Sequence, residues 1–421
     1  MTELSRRGLF RGAAVLAATP LVGLATETLG TRMAFADSSS YTGDVLVVLS
    51  LRGGFDGLSA VVPAGDPDYY TARPGIGVPQ SALLPVDGMW GLHPALAPLQ
   101  PLWAAGQFGA VVAAGQANPT RSHFEASAEM ERAAPASSLR TGWLDRALGL
   151  RSVGTVFQAV QTGGSSPGQQ FAGLTPELSL GALDEFALDA AGGDDPAWVA
   201  QEAKRWDLAL RRLHAKAPTP LLAPATAALA ALSKARELQA QSYPATYDEK
   251  SDLAKALRDV ARLVKAGVGL QVAAVDYGSF DMHAGLGGPD SGWMHDNLSE
   301  LATALAAFAA DLGPLFGKVT VVTMSEFGRR VGENASGGVD HGHGNTMLLL
   351  GGGVVGGQVH GSWPGLAPAA LDDGDVAGTT DYRVVLSELL RKRCAQTGID
   401  KVFPGLPAGE LGVARPWLGS T

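Results

Sequence analysis

A carboxylate and two imidazoles stand together in the motif Asp340-His341-Gly342-His343-Gly344, directly before an apolar run. Carboxylate and imidazole groups are common ligands of divalent cations. On a loop at the mouth of a strand, both imidazoles can converge on one cation, whereas a solvated polar turn is the alternative interpretation. We therefore treat Asp340, His341 and His343 as candidate metal ligands.

Three further segments place carboxylates or imidazoles directly after an apolar run. Asp281 and His283 are two residues apart, which lets them share one side of an extended loop, and Glu326 follows the sequence Thr-Met-Ser. Asp56 stands in a glycine-rich segment, where an Asp-Gly pair is equally typical of a turn. These four residues complete the candidate metal ligands, and a mixed His and carboxylate set accepts Zn, Mn, Mg or Ca according to its geometry.

A serine and a histidine open a predicted helix in the motif Arg121-Ser122-His123-Phe124-Glu125. Ser122 with a glutamate three residues later is the capping-box pattern, so the serine can be a helix cap. The same position allows its hydroxyl to act as a nucleophile beside an anion at the helix N-terminus. Both roles remain open, and His123 is then a candidate proton donor to a leaving group.

Arginines accompany the same segments and could bind the anionic oxygens of an ester. The candidates are Arg52, Arg121 and Arg329.

The elements that must position these residues are apolar runs alternating with helical patterns. Continuous apolar runs of this kind are typical of strands buried on both faces of a parallel sheet. The predicted strands are 45–51, 108–114, 153–160, 268–275, 319–324 and 346–350. The predicted helices are 94–105, 122–133, 296–312 and 381–393.

This alternation predicts an α/β fold in which helices sandwich a largely parallel sheet. Ligands bind such sheets at the carboxyl ends of the strands, where the candidate residues fall. Residues 196–265 differ, because Ala, Leu, Arg and Lys recur there at helical spacing between several prolines. We predict that they form a helical insertion or lid within one domain that spans residues 37–421.

Composition limits the classes of partner. The chain has 421 residues, 46% of them hydrophobic and 17% charged, which is typical of a globular protein with a large core. Its formal charge of −9, without a basic run, excludes nonspecific nucleic-acid binding. Cys394 is the only cysteine, so no intramolecular disulfide can form, and the surrounding apolar pattern predicts a buried helix residue.

Residues 1–36 have the pattern of a twin-arginine signal peptide. Arg6 and Arg7 precede a moderate apolar region, and Ala34-Phe35-Ala36 is a small-x-small cleavage site. The apolar region is short for a membrane span of about 20 residues, so no stable membrane anchor is expected. The prediction is export by the twin-arginine translocase to the periplasm or the extracellular space, with the mature chain beginning near Asp37.

Motifs along nearly the whole chain resemble the bacterial family called domain of unknown function 1501. Besides the twin arginine and Val402-Phe403-Pro404, the resemblance rests on Leu51-Arg52-Gly53-Gly54-Phe55-Asp56-Gly57-Leu58, Arg121-Ser122-His123-Phe124, Thr141-Gly142-Trp143-Leu144, Phe280-Asp281-Met282-His283, Glu326-Phe327-Gly328-Arg329 and Asp340-His341-Gly342. It implies the alkaline phosphatase-like fold of a clan that includes sulfatases and phosphodiesterases. It also implies one or two divalent metals and a nucleophile at a helix N-terminus.

The resulting hypothesis is an exported metal-dependent hydrolase of phosphate or sulfate esters, with Ser122 as nucleophile. The region of Arg52 departs from the clan, because the clan's metal-binding aspartate at the end of the first strand has no counterpart there. That departure favours an alternative of another class, a noncatalytic envelope protein that keeps the fold and a vestigial metal site and binds an envelope partner.

Overall fold

The computed structural model describes residues 41–151, 155–163, 168–175, 177–187, 195–216, 218–243 and 246–417. The predicted signal peptide, residues 1–36, lies outside these residues, as does part of the strand predicted at 153–160.

Twelve strands and eleven α-helices are present in the described part of the chain. The strands are β1 Val45–Arg52, β2 Val61–Val62, β3 Leu84–Pro85, β4 Gly91–Leu92, β5 Phe108–Gly115, β6 Ala159–Thr162, β7 Leu178–Leu180, β8 Val272–Gly278, β9 Val319–Met324, β10 Asn345–Gly351, β11 Val359–His360 and β12 Thr380–Asp381. The helices are α1 Gly57–Ala60, α2 Pro67–Ala72, α3 Gln100–Ala104, α4 His123–Arg132, α5 Trp143–Gly149, α6 Pro196–His214, α7 Thr219–Gln239, α8 Asp252–Lys265, α9 Trp293–Leu312, α10 Tyr382–Arg393 and α11 Ile399–Val402. The helix predicted at 94–105 is instead a 3-10 helix, Pro94–Leu99, followed by α3.

Nine of the strands form one sheet, in the order β11-β5-β10-β9-β1-β8-β6-β7, with β12 also paired to β5. β1 lies at its centre, parallel to β8 on one side and to β9 on the other. Only β10 runs against its neighbours among these nine described strands. The predicted α/β class with a largely parallel sheet is confirmed.

Helices cover both faces of this sheet, which explains why its strands are apolar without alternation. On one face α8 and α9 pack against residues such as Val47, Leu49 and Val275. On the other face α4, α5 and α10 pack against Val48 and Ala274. Because both faces of the sheet are packed with apolar side chains, the polar candidate residues lie at the ends of the strands and in the adjoining loops.

The strand directions gather the candidate residues at one edge. β1, β5, β8 and β9 all end at this edge, and the antiparallel β10 begins there. The loops after β5 and β8 and the connection from β9 to β10 are therefore neighbours, although they are far apart in sequence.

The segment predicted to be a helical insertion, 196–265, contains α6, α7 and α8. α8 packs on β6, β8 and α9 and buries one side of an amphipathic pattern, so this helix is part of the sandwich itself. α6 and α7 pack on each other, and α7 adds Leu229 and Leu232 to the core.

The segment Trp293–Lys318, which includes α9, is long and apolar enough by length and composition to cross a membrane. However, Leu298, Leu301 and Phe308 of this helix are buried against the sheet in the folded chain. Cys394 is fully buried, as predicted, but it caps the C-terminus of α10 and is not a residue within the helix.

Candidate metal centre

Side chains from two loops and one helix meet at the carboxyl edge of the sheet. Asp281 and His283 follow β8, His341 precedes β10, and His123 is the first residue of α4, which follows β5. We call these four residues the His-Asp cluster.

The ligand atoms of the cluster lie close together. Asp281 Oδ1 is 3.1 Å from His341 Nε2, 3.1 Å from His283 Nε2 and 3.5 Å from His123 Nε2. His283 Nε2 and His341 Nε2 are 3.0 Å apart. The ligand atoms of a tetrahedral zinc site with bonds of 2.0–2.1 Å are separated by about 3.3 Å, so these spacings fit the first shell of a metal ion.

The other ring nitrogen of each histidine fixes where its proton sits. His123 Nδ1 is 2.8 Å from Glu326 Oε1, and His283 Nδ1 is 2.9 Å from Asp340 Oδ1. His341 Nδ1 is 2.8 Å from the backbone oxygen of Arg121. Carboxylate and carbonyl oxygens only accept, so Nδ1 carries the proton in each neutral imidazole and Nε2 presents a lone pair.

Three lone pairs therefore face a carboxylate oxygen that also only accepts. His123 Nε2 is buried and has no hydrogen-bond partner. A cation would satisfy all of these atoms at once, and imidazoles held through Nδ1 by a carboxylate or carbonyl are the usual form of metal-binding histidines. Among the described residues, His123, Asp281 and His341 are a group that could hold a metal ion, with ligand atoms all within 4.8 Å of one another.

The electrostatics of the cluster keep its carboxylate ionised. Burial raises the pKa of Asp281, but the hydrogen bond from Arg329 and the contact with His341 more than offset this effect and lower the pKa to about 2. Arg329 Nη2 lies 2.8 Å from Asp281 Oδ1, and the arginine side chain is fully buried. The anionic ligand is thus available at neutral pH.

Glu326 lies behind His123 rather than in the cluster. Its Oε1 contacts His123 Nδ1 and accepts a hydrogen bond from Gly53 N at 2.9 Å. Burial raises the pKa of Glu326, but the His123 hydrogen bond and backbone donors lower it below its ordinary value overall. The sequence predicts that Glu326 binds the metal directly. In the structure it contacts the imidazole of His123, where it can orient that candidate ligand.

A glycine turn makes this arrangement possible. Gly53 has φ +102°, which side chains rarely adopt, and a Cβ there would lie 2.7 Å from the backbone nitrogen of Asp281. Because only glycine permits that approach, the end of β1 can touch both the Asp281 loop and Glu326.

The other predicted metal ligands lie outside the cluster. Asp340 contacts His283 Nδ1 and has a lowered pKa, chiefly because of that hydrogen bond. The ring of His343 points elsewhere, with Nε2 3.1 Å from Gln116 O and Nδ1 3.3 Å from Asp372 Oδ2. Its position one residue past Gly342 turns it away from His341.

Asp56 is also elsewhere, in a buried ion pair. It accepts hydrogen bonds from Arg73 Nη1 at 2.6 Å, Arg73 Nη2 at 2.9 Å and Ser59 Oγ at 2.5 Å. Burial raises its pKa, but Arg73 and Ser59 lower it overall. With both oxygens engaged, Asp56 is placed to neutralise Arg73 and not to bind a metal.

Ser122 occupies the cap position of α4. Its Oγ accepts from Glu125 N at 3.4 Å, and its backbone nitrogen donates to Thr120 Oγ1. Ser122 is therefore a helix cap, but the reciprocal half of the predicted capping box is absent, because Glu125 Oε2 accepts from Thr120 Oγ1 and not from Ser122 N. The neighbouring His123 carries the Nε2 atom that enters the cluster.

The three arginines expected to bind anionic oxygens all have protein partners. Arg52 pairs with Glu131 and Asp276, and Arg121 pairs with Asp373 and Asp375. Arg329 donates to the carbonyls of Gly53, Gly54, Phe280 and Val339 as well as to Asp281.

Two residues that sequence reasoning missed support the cluster. The ring of Phe327 packs against the imidazoles of His123 and His341, with centroids 4.8 and 4.7 Å away. Asn334 Nδ2 donates to His283 O and to Asp340 Oδ1. Phe327 follows Glu326 directly, so its place beside a site could have been inferred, whereas nothing in the sequence marks Asn334.

Comparison with known proteins gives a family and a distant structural similarity. No curated protein matches the sequence. The crystal structure of PsFucS1 sulfatase from Pseudoalteromonas sp. is similar with a TM-score of 0.31 and 11% identity, over 76% of this chain. The match covers 64% of the sulfatase, less than two thirds of its length, and so weak a likeness supports no conclusion about activity. A family model described as "Protein of unknown function (DUF1501)" matches residues 44–402, and the chain belongs to that family.

Proposed function

We propose that the protein is a metal-dependent hydrolase of phosphate or sulfate esters, built on the His-Asp cluster. One observation carries the proposal, namely that the Nε2 atoms of three histidines lie 3.1–3.5 Å from Asp281 Oδ1 while the Nδ1 atom of each contacts an oxygen that only accepts. Imidazole lone pairs that meet no donor, such as that of the buried His123 Nε2, are costly unless a cation occupies the space between them.

A divalent ion at this position supplies a Lewis acid that polarises an ester and lowers the pKa of a nucleophile. The protein's part is to hold the ligands in a single geometry. Glu326, Asp340 and the Arg121 carbonyl fix the three imidazoles, and Arg329 fixes the carboxylate of Asp281. The imidazole and Asp281 side chains are 20–47% exposed, so a substrate can reach the cluster from solvent.

The charges around the cluster favour a substrate with one negative charge. Three carboxylates carry negative charge here: Asp281 within the cluster, and Glu326 and Asp340, which contact its histidines. Arg329 neutralises the charge of Asp281. A divalent ion balances the other two. Because Arg52 and Arg121 are already paired, sulfate monoesters and phosphodiesters fit better than dianionic phosphate monoesters.

Metal content and turnover, measured on the same preparations, test the proposal. We expect near-stoichiometric metal in the parent, loss of metal in Asp281→Asn and His341→Ala, and normal content in the control His214→Ala, which changes a histidine of α6. Hydrolysis of an aryl sulfate, an aryl phosphodiester and an aryl phosphate should follow metal content, with the first two preferred. A metal-free parent that hydrolyses none of them would refute the proposal.

A noncatalytic binding protein is the second candidate. The observation that favours it is the pairing of every arginine proposed to hold an anionic substrate. This candidate also predicts a bound metal, but no hydrolysis of any ester by the loaded protein and unchanged binding to an envelope partner after metal loss.

Export belongs to the same proposal. The twin arginine Arg6-Arg7 supports translocation of a folded chain, which allows the cluster to acquire its metal before export. Replacing both arginines with lysine should retain the precursor in the cytoplasm, as measured by cell fractionation with an antibody to the protein.

A further inference from the structure

A short loop outside the cluster touches the segments that carry its ligands. This loop, which we call the clasp loop, has the sequence Asp372-Asp373-Gly374-Asp375 and precedes β12. The side chains of Asp372 and Asp373 are largely exposed, whereas Asp375 is 3% exposed. A carboxylate is rarely buried without a charged partner, so the contacts of Asp375 indicate its role.

The main contact of Asp375 is with Arg121. Arg121 Nη2 donates to Asp375 Oδ2 at 2.7 Å and to Asp373 Oδ2 at 3.0 Å. The backbone oxygen of the same arginine accepts the proton of His341 Nδ1. Arg121 thus joins the clasp loop to a metal-ligating imidazole through two different groups, its guanidinium and its carbonyl.

Arg121 also adjoins the start of α4. Ser122, the next residue, caps the helix whose first residue is His123. A shift of the Arg121 backbone would therefore move the acceptor of His341 and the cap that precedes His123 together.

A second set of contacts ties the clasp loop to the segment before the cluster. Val331 N donates to Gly374 O, and Arg330 Nε lies 3.5 Å from Asp375 Oδ1. Arg330 N in turn donates to Asp340 O, one residue before His341. Asp375 therefore lies between two residues that contact the His341 segment: Arg121, whose carbonyl contacts the His341 ring, and Arg330, whose backbone contacts Asp340.

We propose that Asp375 is a positioning residue that sets the metal affinity of the His-Asp cluster by anchoring Arg121. The inference rests on the proposed metal centre. Without Asp375, Arg121 would keep only Asp373, whose side chain is 79% exposed, and exposed ion pairs hold a side chain weakly. The Arg121 carbonyl would then no longer be fixed opposite His341 Nδ1.

A double-mutant cycle on metal affinity tests this coupling. The variants are Asp375→Asn, Arg121→Gln and the double variant, all in the full chain; Arg121→Gln keeps the carbonyl and removes the guanidinium. The dissociation constant for Zn²⁺ is measured by competition with a chelator, and the visible spectrum is recorded after loading with Co²⁺. We expect each single variant to bind Zn²⁺ about 10–100-fold more weakly, the range for residues that orient metal ligands.

The double variant should bind Zn²⁺ no more weakly than the weaker single variant, because both changes break one contact. The Co²⁺ spectrum should change in all three, as expected from a moved His341, which a general loss of stability would not produce. Asp373→Asn is the matched control and should lose less than about fivefold, since it removes only the exposed partner.

The outcomes separate this inference from the proposed function. A parent that binds no metal refutes the metal centre itself. A parent that binds metal, with single variants of unchanged affinity or a double variant whose losses multiply, overturns the role of Asp375 and leaves the metal centre standing. If Asp375→Asn does not fold, Arg121→Gln breaks the same contact from a side chain that is 43% exposed, and its affinity decides.

Discussion

Replacing Glu326 with glutamine distinguishes a residue that orients a metal ligand from one that binds the metal. Glu326 is 3% exposed, and its lowered pKa keeps it anionic at neutral pH. Glutamine has nearly the same shape and keeps an oxygen that can accept from His123 Nδ1. The substitution therefore removes one charge from behind His123 and leaves the imidazole in place.

The size of the effect follows from the contact at 2.8 Å between His123 Nδ1 and Glu326 Oε1. A hydrogen bond to a charged group contributes about 1.5–3 kcal/mol and one between neutral groups about 0.5–1.5 kcal/mol. The difference of about 1–1.5 kcal/mol corresponds to a loss of roughly tenfold in metal affinity. If Glu326 bound the metal directly, the same change would remove one of its ligands and the metal would be lost.

The assay is the dissociation constant for Zn²⁺, measured by competition with a chelator for the parent, Glu326→Gln and Glu326→Ala. We expect Glu326→Gln to bind about tenfold more weakly and Glu326→Ala to bind more weakly still, because alanine leaves His123 Nδ1 without an acceptor. Unchanged affinity in both variants would refute the orienting role, and complete loss in Glu326→Gln would make Glu326 a direct ligand.

Three further predictions concern residues near the cluster. Asp56→Asn should lower the free energy of unfolding by about 3–5 kcal/mol, measured by urea denaturation, because Arg73 would remain buried and unpaired, while metal content should be normal in the folded fraction. Ser122→Ala should cost about 1 kcal/mol of stability through the lost helix cap and keep metal-dependent turnover; loss of turnover with full metal content would restore its role as nucleophile. The folded-state pKa of Asp281 lies near 2, below its ordinary 3.8, so its contribution to stability is present above about pH 4 and is lost as pH falls toward 2. After discounting for a side chain that is 45% exposed, that contribution is about 1 kcal/mol. Between about pH 4 and pH 2, the free energy of unfolding of the metal-free protein should therefore fall by about 1 kcal/mol less in Asp281→Asn than in the parent.

The sheet could be predicted from the sequence because buried parallel strands leave a strong local signal. The runs at 45–51 and 319–324 correspond to β1 Val45–Arg52 and β9 Val319–Met324. The strand predicted at 268–275 is shifted, since β8 is Val272–Gly278 and extends beyond the apolar run from Asp276 to Gly278. The loop after β8 still lies at the predicted edge, because the direction of the strand fixes that edge whatever its bounds.

The partners of charged residues could not be predicted, because they depend on contacts between distant segments. Asp56 has the local pattern of a turn or a ligand, and only the fold brings Arg73 to it. Arg52 ends β1 and Arg329 follows β9, where an anion site is expected, yet carboxylates of α4 and β8 engage Arg52 and backbone carbonyls of nearby loops engage Arg329. Sequence alone gives the type and position of such groups, but not whether another group has already neutralised them.

His123 illustrates how a local pattern can conceal a role in a site. The helix cap accounts for the contact between Ser122 Oγ and Glu125 N, and a histidine after a cap needs no further role. The structure places this histidine between Glu326 and Asp281, and only the absence of a partner for its buried Nε2 sets it apart from a packed imidazole. α4 starts shortly after β5, so its cap lies at the edge of the sheet where β5 ends. The residue after the cap therefore points into the same space as the loops after β8 and β9. A helix start that follows a parallel strand is therefore a place to look for a metal ligand, even where capping already accounts for the motif.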